Sequence, residues 1–461
     1  MSTPAAAPLK LARVPRLRSF KNSVAMAGNP VPVIDEYLNE YGDTIGLHLG
    51  GVMPTLLTRD PGLIQHILQK NHRNYPKSEM SHGLARYLGN GLLTSEGNYW
   101  LQQRRLIQPG FHRQRVAGLT ELMRTVIEEC LQPLTAQAKE QGGAAEVEIH
   151  ELMTVLTFRI MARSTFSSSM SEAELERMAE LLTLNQAFYV RTLRQPYLKP
   201  WLNVSGQYRH HDGLAAEMRN LVRRYIRQRQ AAPATEEAPN DLLQMLLDAR
   251  YEDTGEPMTE EQVLDEAAIL LVAGHETSAN ALSWLWYLLA SHPAEVAKLR
   301  TEMQTVLGDR SPQFTDLPNL PYSLQVIQET MRLYPPAWIV DRVALEDDEY
   351  NGLPLPKGTL ISGYIYGVHH SPKLWDEPEA FRPERFEKER LREQPAYAYL
   401  PFGGGPRLCI GNQFALTEMQ LVLLETLRRF EVELTDDAHP GLRPLITLRP
   451  RNDIRLRFRL R

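Results

Sequence analysis

Cysteine is scarce in this 461-residue chain: there are two, Cys130 and Cys409. Two cannot build a disulfide framework, and they suit a reducing compartment. A basic excess is missing too. The 51 Lys and Arg against 56 Asp and Glu leave a formal charge of -5, which argues against the basic domain that nucleic-acid binding requires. Long apolar runs are absent from the first 30 residues, which carry Lys10, Arg13, Arg16, Arg18 and Lys21 instead. No signal core or membrane anchor is therefore expected, and the expected location is cytoplasmic. The composition, 43% hydrophobic and 23% charged, is that of an ordinary globular protein.

Residues 401–411 read Pro-Phe-Gly-Gly-Gly-Pro-Arg-Leu-Cys-Ile-Gly. The glycine run and two prolines forbid regular structure and let the backbone approach something closely. From Asn412 to Phe430, Ala415, Met419, Val422, Leu423, Leu427 and Phe430 recur at helical spacing, and Leu416, Leu421 and Leu424 widen the stripe until it predicts a buried helix. Cys409 lies at the mouth of that helix, where the macrodipole and free N–H groups are expected to favour a thiolate able to ligate a metal. A buried cysteine is more often a small core hydrophobe, and Cys130 is read that way. Cys409 is not, because Phe402, Gly405, Arg407, Cys409 and Gly411 complete F-x-x-G-x-R-x-C-x-G without departure. This resembles the cytochrome P450 family of haem-thiolate monooxygenases. The resemblance implies haem b as cofactor, Cys409 as its iron ligand, and Phe402, Arg407 and Gly411 at the cofactor.

Other stretches carry the same resemblance. Trp100 and Arg104 share a helix face at i, i+4, and the family's matching pair binds a haem propionate. Nearby Arg105, His112, Arg113 and Arg115 form a basic cluster that would dock an acidic electron donor by electrostatic steering. Thr259–Gln262 is a capping box, followed by a helical pattern to Ser291 before Pro293. At its centre stands Ala273-Gly274-His275-Glu276-Thr277. Mid-helix glycine costs about 1 kcal/mol relative to Ala, and a buried glutamate needs a partner, so this segment points to function. A zinc H-E-x-x-H site is excluded by Ala279 at the fifth position. The resemblance implies instead that Ala273 and Gly274 lie at the cofactor, with the helix unwound locally at Gly274. It also implies that Thr277 hydrogen-bonds dioxygen and that Glu276 is the acid of a proton-delivery pair.

Glu329 and Arg332 stand at i, i+3 on a predicted helix ending at Pro335-Pro336. With Arg385, in Pro383-Glu-Arg-Phe386, they match the family's structural triad. Arg342 matches a further propionate position, as does Arg407. Ala273, Ala337, Trp338, Ile339 and Ile446 are expected to face the substrate, beneath a lid at residues 183–212. The remaining elements are a hairpin over 44–58, helix over 61–70, a long loop over 75–97, and a connector over 231–240 with Asn240 capping the next helix. A final hairpin is expected to join Leu445–Leu448 to Ile454–Phe458.

The expected fold is α+β: mainly α, one domain over 1–461, a long central helix over the haem, and β regions near 40–60, 337–366 and 432–459. No reductase is recognised in the chain, so electrons would come from a separate ferredoxin- or flavodoxin-type donor with an NAD(P)H-dependent reductase. The implied reaction inserts one atom of O2 into a C–H or C=C bond of a hydrophobic molecule: lipid-like (the favoured class), terpenoid, steroid or aromatic. Two alternatives stand beside it. A peroxide-driven peroxygenase typically lacks the acid–alcohol pair present here, and a haem sensor or carrier has no use for Glu276-Thr277.

Overall fold

The computed structural model describes residues 11–49, 53–167, 170–231, 239–435 and 439–461. Helices dominate and small sheets fill the rest, in the mainly α arrangement the sequence implies. The central helix, Glu260–Ser291, starts where its capping box places it. Thr259 Oγ1 accepts the Gln262 N–H at 3.2 Å, and the Gln262 side chain accepts the Thr259 N–H at 2.9 Å. Its apolar residues run right round the cylinder, so it can only be stable as the centre of a core. The helices Ile149–Phe166, Gln207–Ala231, Pro321–Leu333 and Asn412–Arg429 pack around it, and their buried side chains form the main core.

Gly274 marks the crossing with Ile149–Phe166: a Cβ there would lie 2.4 Å from Met161 Sδ. The expected local unwinding at this glycine is not found, since the helix is continuous through residues 273–277. Close packing with the crossing helix accounts for the glycine instead.

Five strands make the largest sheet, in the order Ala12–Arg13, Thr44–Leu49, Met53–Thr58, Leu360–Gly363, Val340–Val343. The expected hairpin pairs Thr44 with Thr58 and Leu49 with Met53, while its Gly50-Gly51 turn lies outside the described residues. Residues 75–97 contain two short helices, Glu79–His82 and Ala85–Leu88, rather than loop alone. The loosened pattern at 183–212 reduces to a break around 195–206, because Phe188 and Tyr189 lie on the regular helix Glu172–Arg194. Most of the 231–240 connector falls outside the described residues. The helix after it is capped by Asp241, which accepts the Gln244 N–H at 2.8 Å. Asn240 is engaged instead by the Arg115 guanidinium.

The last two strands do not pair with each other as expected. Leu442–Pro444 pairs with Leu448–Pro450, whereas Arg455–Leu460 lies between Ala144–Glu148 and Phe430–Leu434. Alternation reveals that a strand has a buried face but not which neighbour it finds.

Candidate active site

The cysteine loop is fixed from several sides. The Cys409 N–H donates to the Phe402 carbonyl at 3.0 Å and the Leu408 N–H to Gly405 at 3.1 Å. Gly405 has φ +66°, and a Cβ there would sit 1.9 Å from the Leu68 carbonyl oxygen of the π-helical turn His66–Lys70. Glycine is thus required both by conformation and by space. Asn412–Arg429 follows as the expected buried helix.

Cys409 keeps accessible surface although protein surrounds it, and burial pushes its thiol up. A backbone hydrogen bond from Gly411 acts the other way but is outweighed. Dehydration of the anion thus opposes the N–H groups of the helix mouth and the nearby Arg104 charge, which favour it. A bound cation would be needed to hold the anionic form.

Beside the loop, cations gather, Arg342 buried and Lys77, Arg104 and Arg407 half-buried. The Arg407 guanidinium lies 4.1 Å from the Trp100 ring centre and pairs with Glu96, while Arg104 lies 5.9 Å from the same ring. Arg342 is buried on Val340–Val343. Lys77 donates to the Leu93 carbonyl. Burial, then repulsion by Arg407 and Arg342, pushes Lys77 down to about 7. Burial likewise lowers Arg407 to about 10 and lowers Arg342. The structure therefore brings together Trp100, Arg104, Arg342 and Arg407 as the sequence implied. It adds Lys77 and Glu96, which carry no local signal because only the fold sets them beside Arg407.

On the central helix, Ala273 is exposed amid buried neighbours, and Thr277 Oγ1 donates to its carbonyl at 2.8 Å. Glu276 is not hydrogen-bonded to Thr277. Its carboxylate accepts from Gln186 Nε2 at 2.6 Å and Thr447 Oγ1 at 2.7 Å, and Asn280 donates to Thr447 at 2.9 Å. The Glu276 side chain borders a cleft of about 60 Å³ shared with His150, His275, Ile446 and Arg449. Such a space is lined by polar as well as apolar groups and is large enough for water. Gln186 and Thr447 are the partners that the sequence left unnamed.

The triad is real and wholly buried. Arg332 Nε and Nη2 donate to Glu329 at 2.7 and 2.9 Å, and Arg385 Nε donates to the same carboxylate at 3.3 Å. Arg332 also donates to the His369, Pro378 and Ala380 carbonyls. This many partners is what allows a charge pair to sit in a core.

The residues expected at the substrate pack in two different apolar clusters. Ile446 joins Tyr87, Phe188, Tyr189, Leu202 and Ala215 in a separate apolar cluster on the lid side, where Phe188 also stacks on His211 at 3.9 Å. Trp338 and Ile339 do not join it: both pack into the core of the N-terminal sheet, and Trp338 Nε1 donates to the Leu445 carbonyl at 3.0 Å. A large ring with one polar atom is best satisfied where the ring is dry and the N–H is met. Ala337 is half-buried beside them.

The donor set fits haem b: one thiol at a helix mouth for the iron, and a cluster of one buried and three half-buried cations whose excess charge suits two propionates. A Cytochrome P450 family model matches residues 13–456. Cyclooctatin synthase of Streptomyces melanosporofaciens is 33% identical over 95% of this chain and 96% of its own length. Cyclooctat-9-en-7-ol 5-monooxygenase of the same organism is also 33% identical, over 86% of this chain and 83% of its own length. Among solved structures, the cytochrome P450DA heme domain superposes with a TM-score of 0.87 at 26% identity, covering 98% of both chains. The chain belongs to the cytochrome P450 family, and is a monooxygenase with haem b as its cofactor.

Proposed function

We propose that this enzyme hydroxylates a C–H bond, or oxidises a C=C bond, of a hydrophobic small molecule, with electrons from a separate ferredoxin- or flavodoxin-type donor. The observation that carries the substrate class is the lid-side cluster of Tyr87, Phe188, Tyr189, Leu202 and Ala215 with Ile446. Of this apolar packing, Ile446 reaches the cleft beside Glu276, and an apolar side chain there favours an apolar carbon skeleton. A relative named for oxidising cyclooctat-9-en-7-ol supports a terpenoid-like or lipid-like choice over a polar one.

Haem held by Cys409 would supply dioxygen activation, since a thiolate ligand pushes electron density towards the iron and favours O–O cleavage, as is general for haem-thiolate enzymes. The chain's own residues do the rest. Lys77, Arg342 and Arg407, with Trp100 and Arg104, bind the cofactor's carboxylates. Ala273 leaves room on the open side of the central helix, and Thr277 places a hydroxyl one turn along. Glu276, held by Gln186 and Thr447 at the polar cleft, keeps a carboxylate where protons can enter. The exposed Arg105, His112, Arg113 and Arg115 offer a cationic face to an acidic donor. We read residues 1–461 as one domain and place the protein in the cytoplasm; no helix among the described residues is long and apolar enough to cross a membrane.

The test is turnover of apolar compounds that shift the haem spin state, driven by a surrogate ferredoxin pair or by peroxide alone. Product with the redox pair is expected. Efficient product with peroxide alone would favour a peroxygenase, and no product in either arm a haem carrier.

A further inference from the structure

The triad and the cysteine loop are separate in sequence; the Tyr399 hydroxyl donates to the Gln328 carbonyl at 3.1 Å, and the His369 side chain reaches the backbone of Leu400 itself. His369 ends the short helix Ile365–His369 and is fully buried. Its backbone carbonyl accepts from Arg332 Nη1 at 2.8 Å. Its Nε2 accepts the Leu400 N–H at 3.0 Å, so the ring proton belongs on Nδ1. Nδ1 is buried and meets no hydrogen-bond partner among the described residues, so the Leu400 N–H is the ring's polar contact; the imidazole also stacks on Tyr399 with ring centres 5.5 Å apart. Burial, His370 and the Arg332 charge hold this imidazole neutral, well below its ordinary range, so it stays an acceptor.

Leu400 is the root of the cysteine loop. Its carbonyl accepts the Gly403 N–H at 3.0 Å, and two residues on from Leu400 the Phe402 carbonyl accepts the Cys409 N–H. Leu400 is itself buried, so without the imidazole its N–H would be left without a partner.

We infer that His369 is a positioning residue that carries the placement of the Glu329–Arg332–Arg385 triad to Cys409 through the Leu400 N–H. This rests on the assignment of Cys409 as the iron ligand. The imidazole does not touch the reacting atoms; it sets where the sulfur stands, and hence how firmly the sulfur holds iron.

The experiment uses the full haem-loaded chain with His369→Leu and His369→Gln, the glutamine offering an oxygen acceptor in place of Nε2. Each protein is reduced, exposed to carbon monoxide and titrated with urea, and its reduction potential is measured. His369→Leu is expected to lower the ratio of thiolate-type to non-thiolate Soret absorbance at mid-transition by about tenfold or more, the size set by an orphaned buried N–H, and to shift the potential. His369→Gln is expected to recover most of both, and that recovery stands as support even if the leucine variant fails to load haem. An unchanged His369→Leu, or a glutamine variant as damaged as the leucine one, overturns the inference. A wild-type chain without the thiolate-type band overturns the haem-thiolate reading and this inference with it.

Discussion

On the cysteine side of the site, Arg332, Glu329, Arg385 and His369 form a buried polar network in which each charge meets several partners. On the lid side, Tyr87, Phe188, Tyr189, Leu202, Ala215 and Ile446 meet mostly through apolar contact. The first arrangement is directional and fails when one member is removed, because a buried charge is then left unpaired. The second is non-directional and tolerates exchange of side chains of similar bulk. One side fixes a ligand atom; the other can be reshaped for a new substrate without disturbing it.

Breaking the cysteine side should have the largest effects. Cys409→Ala is expected to abolish the thiolate-type Soret band of the reduced carbon-monoxide complex and the turnover. Arg332→Ala should destabilise the fold by about 3–5 kcal/mol in urea unfolding, the cost of stranding a buried carboxylate. Between the two regions, Glu276→Gln should slow turnover by about a hundredfold and raise the solvent isotope effect, with little change in Tm.

Two smaller tests sharpen the contrast. Burial raises Glu266 and Glu418 to about 8. A carboxyl raised on folding leaves the folded state holding its proton while the unfolded chain has lost it. Stability should therefore fall as pH rises from the ordinary carboxylate range towards 8, by at most about 1.4 kcal/mol per pH unit for each group, and level off above. Glu418→Gln should remove its share of that slope in Tm measured against pH. Ile446→Ala, on the lid side, should weaken binding of a spin-shifting substrate by about tenfold while leaving the carbon-monoxide spectrum unchanged.

Legibility follows the same division. The cysteine motif, the capping box at Thr259 and the Glu329–Arg332 pair are short in sequence, so their spacing alone exposes them. Trp338 and Ile339 pack into the core of the N-terminal sheet, which the sequence did not specify, because an apolar triplet after a helix says that it is buried, not in which core. Gly274 points to the cofactor by its motif, yet its immediate constraint is Met161. Lys77, Gln186 and Thr447 give no signal, each being ordinary in its own stretch.

By itself, the sequence determined the thiol at the mouth of a buried helix, the helix with a polar centre, and the buried-helix periodicities that make the chain mainly α. These depend on residues within a turn or two of one another. Only the tertiary structure decided which carbonyl crowds Gly405, which imidazole meets Leu400, which cations crowd Arg407 and which partners hold Glu276. Those are contacts between distant segments, and a hydrogen bond or a buried charge is settled by where packing brings its partner, not by its neighbours in the chain.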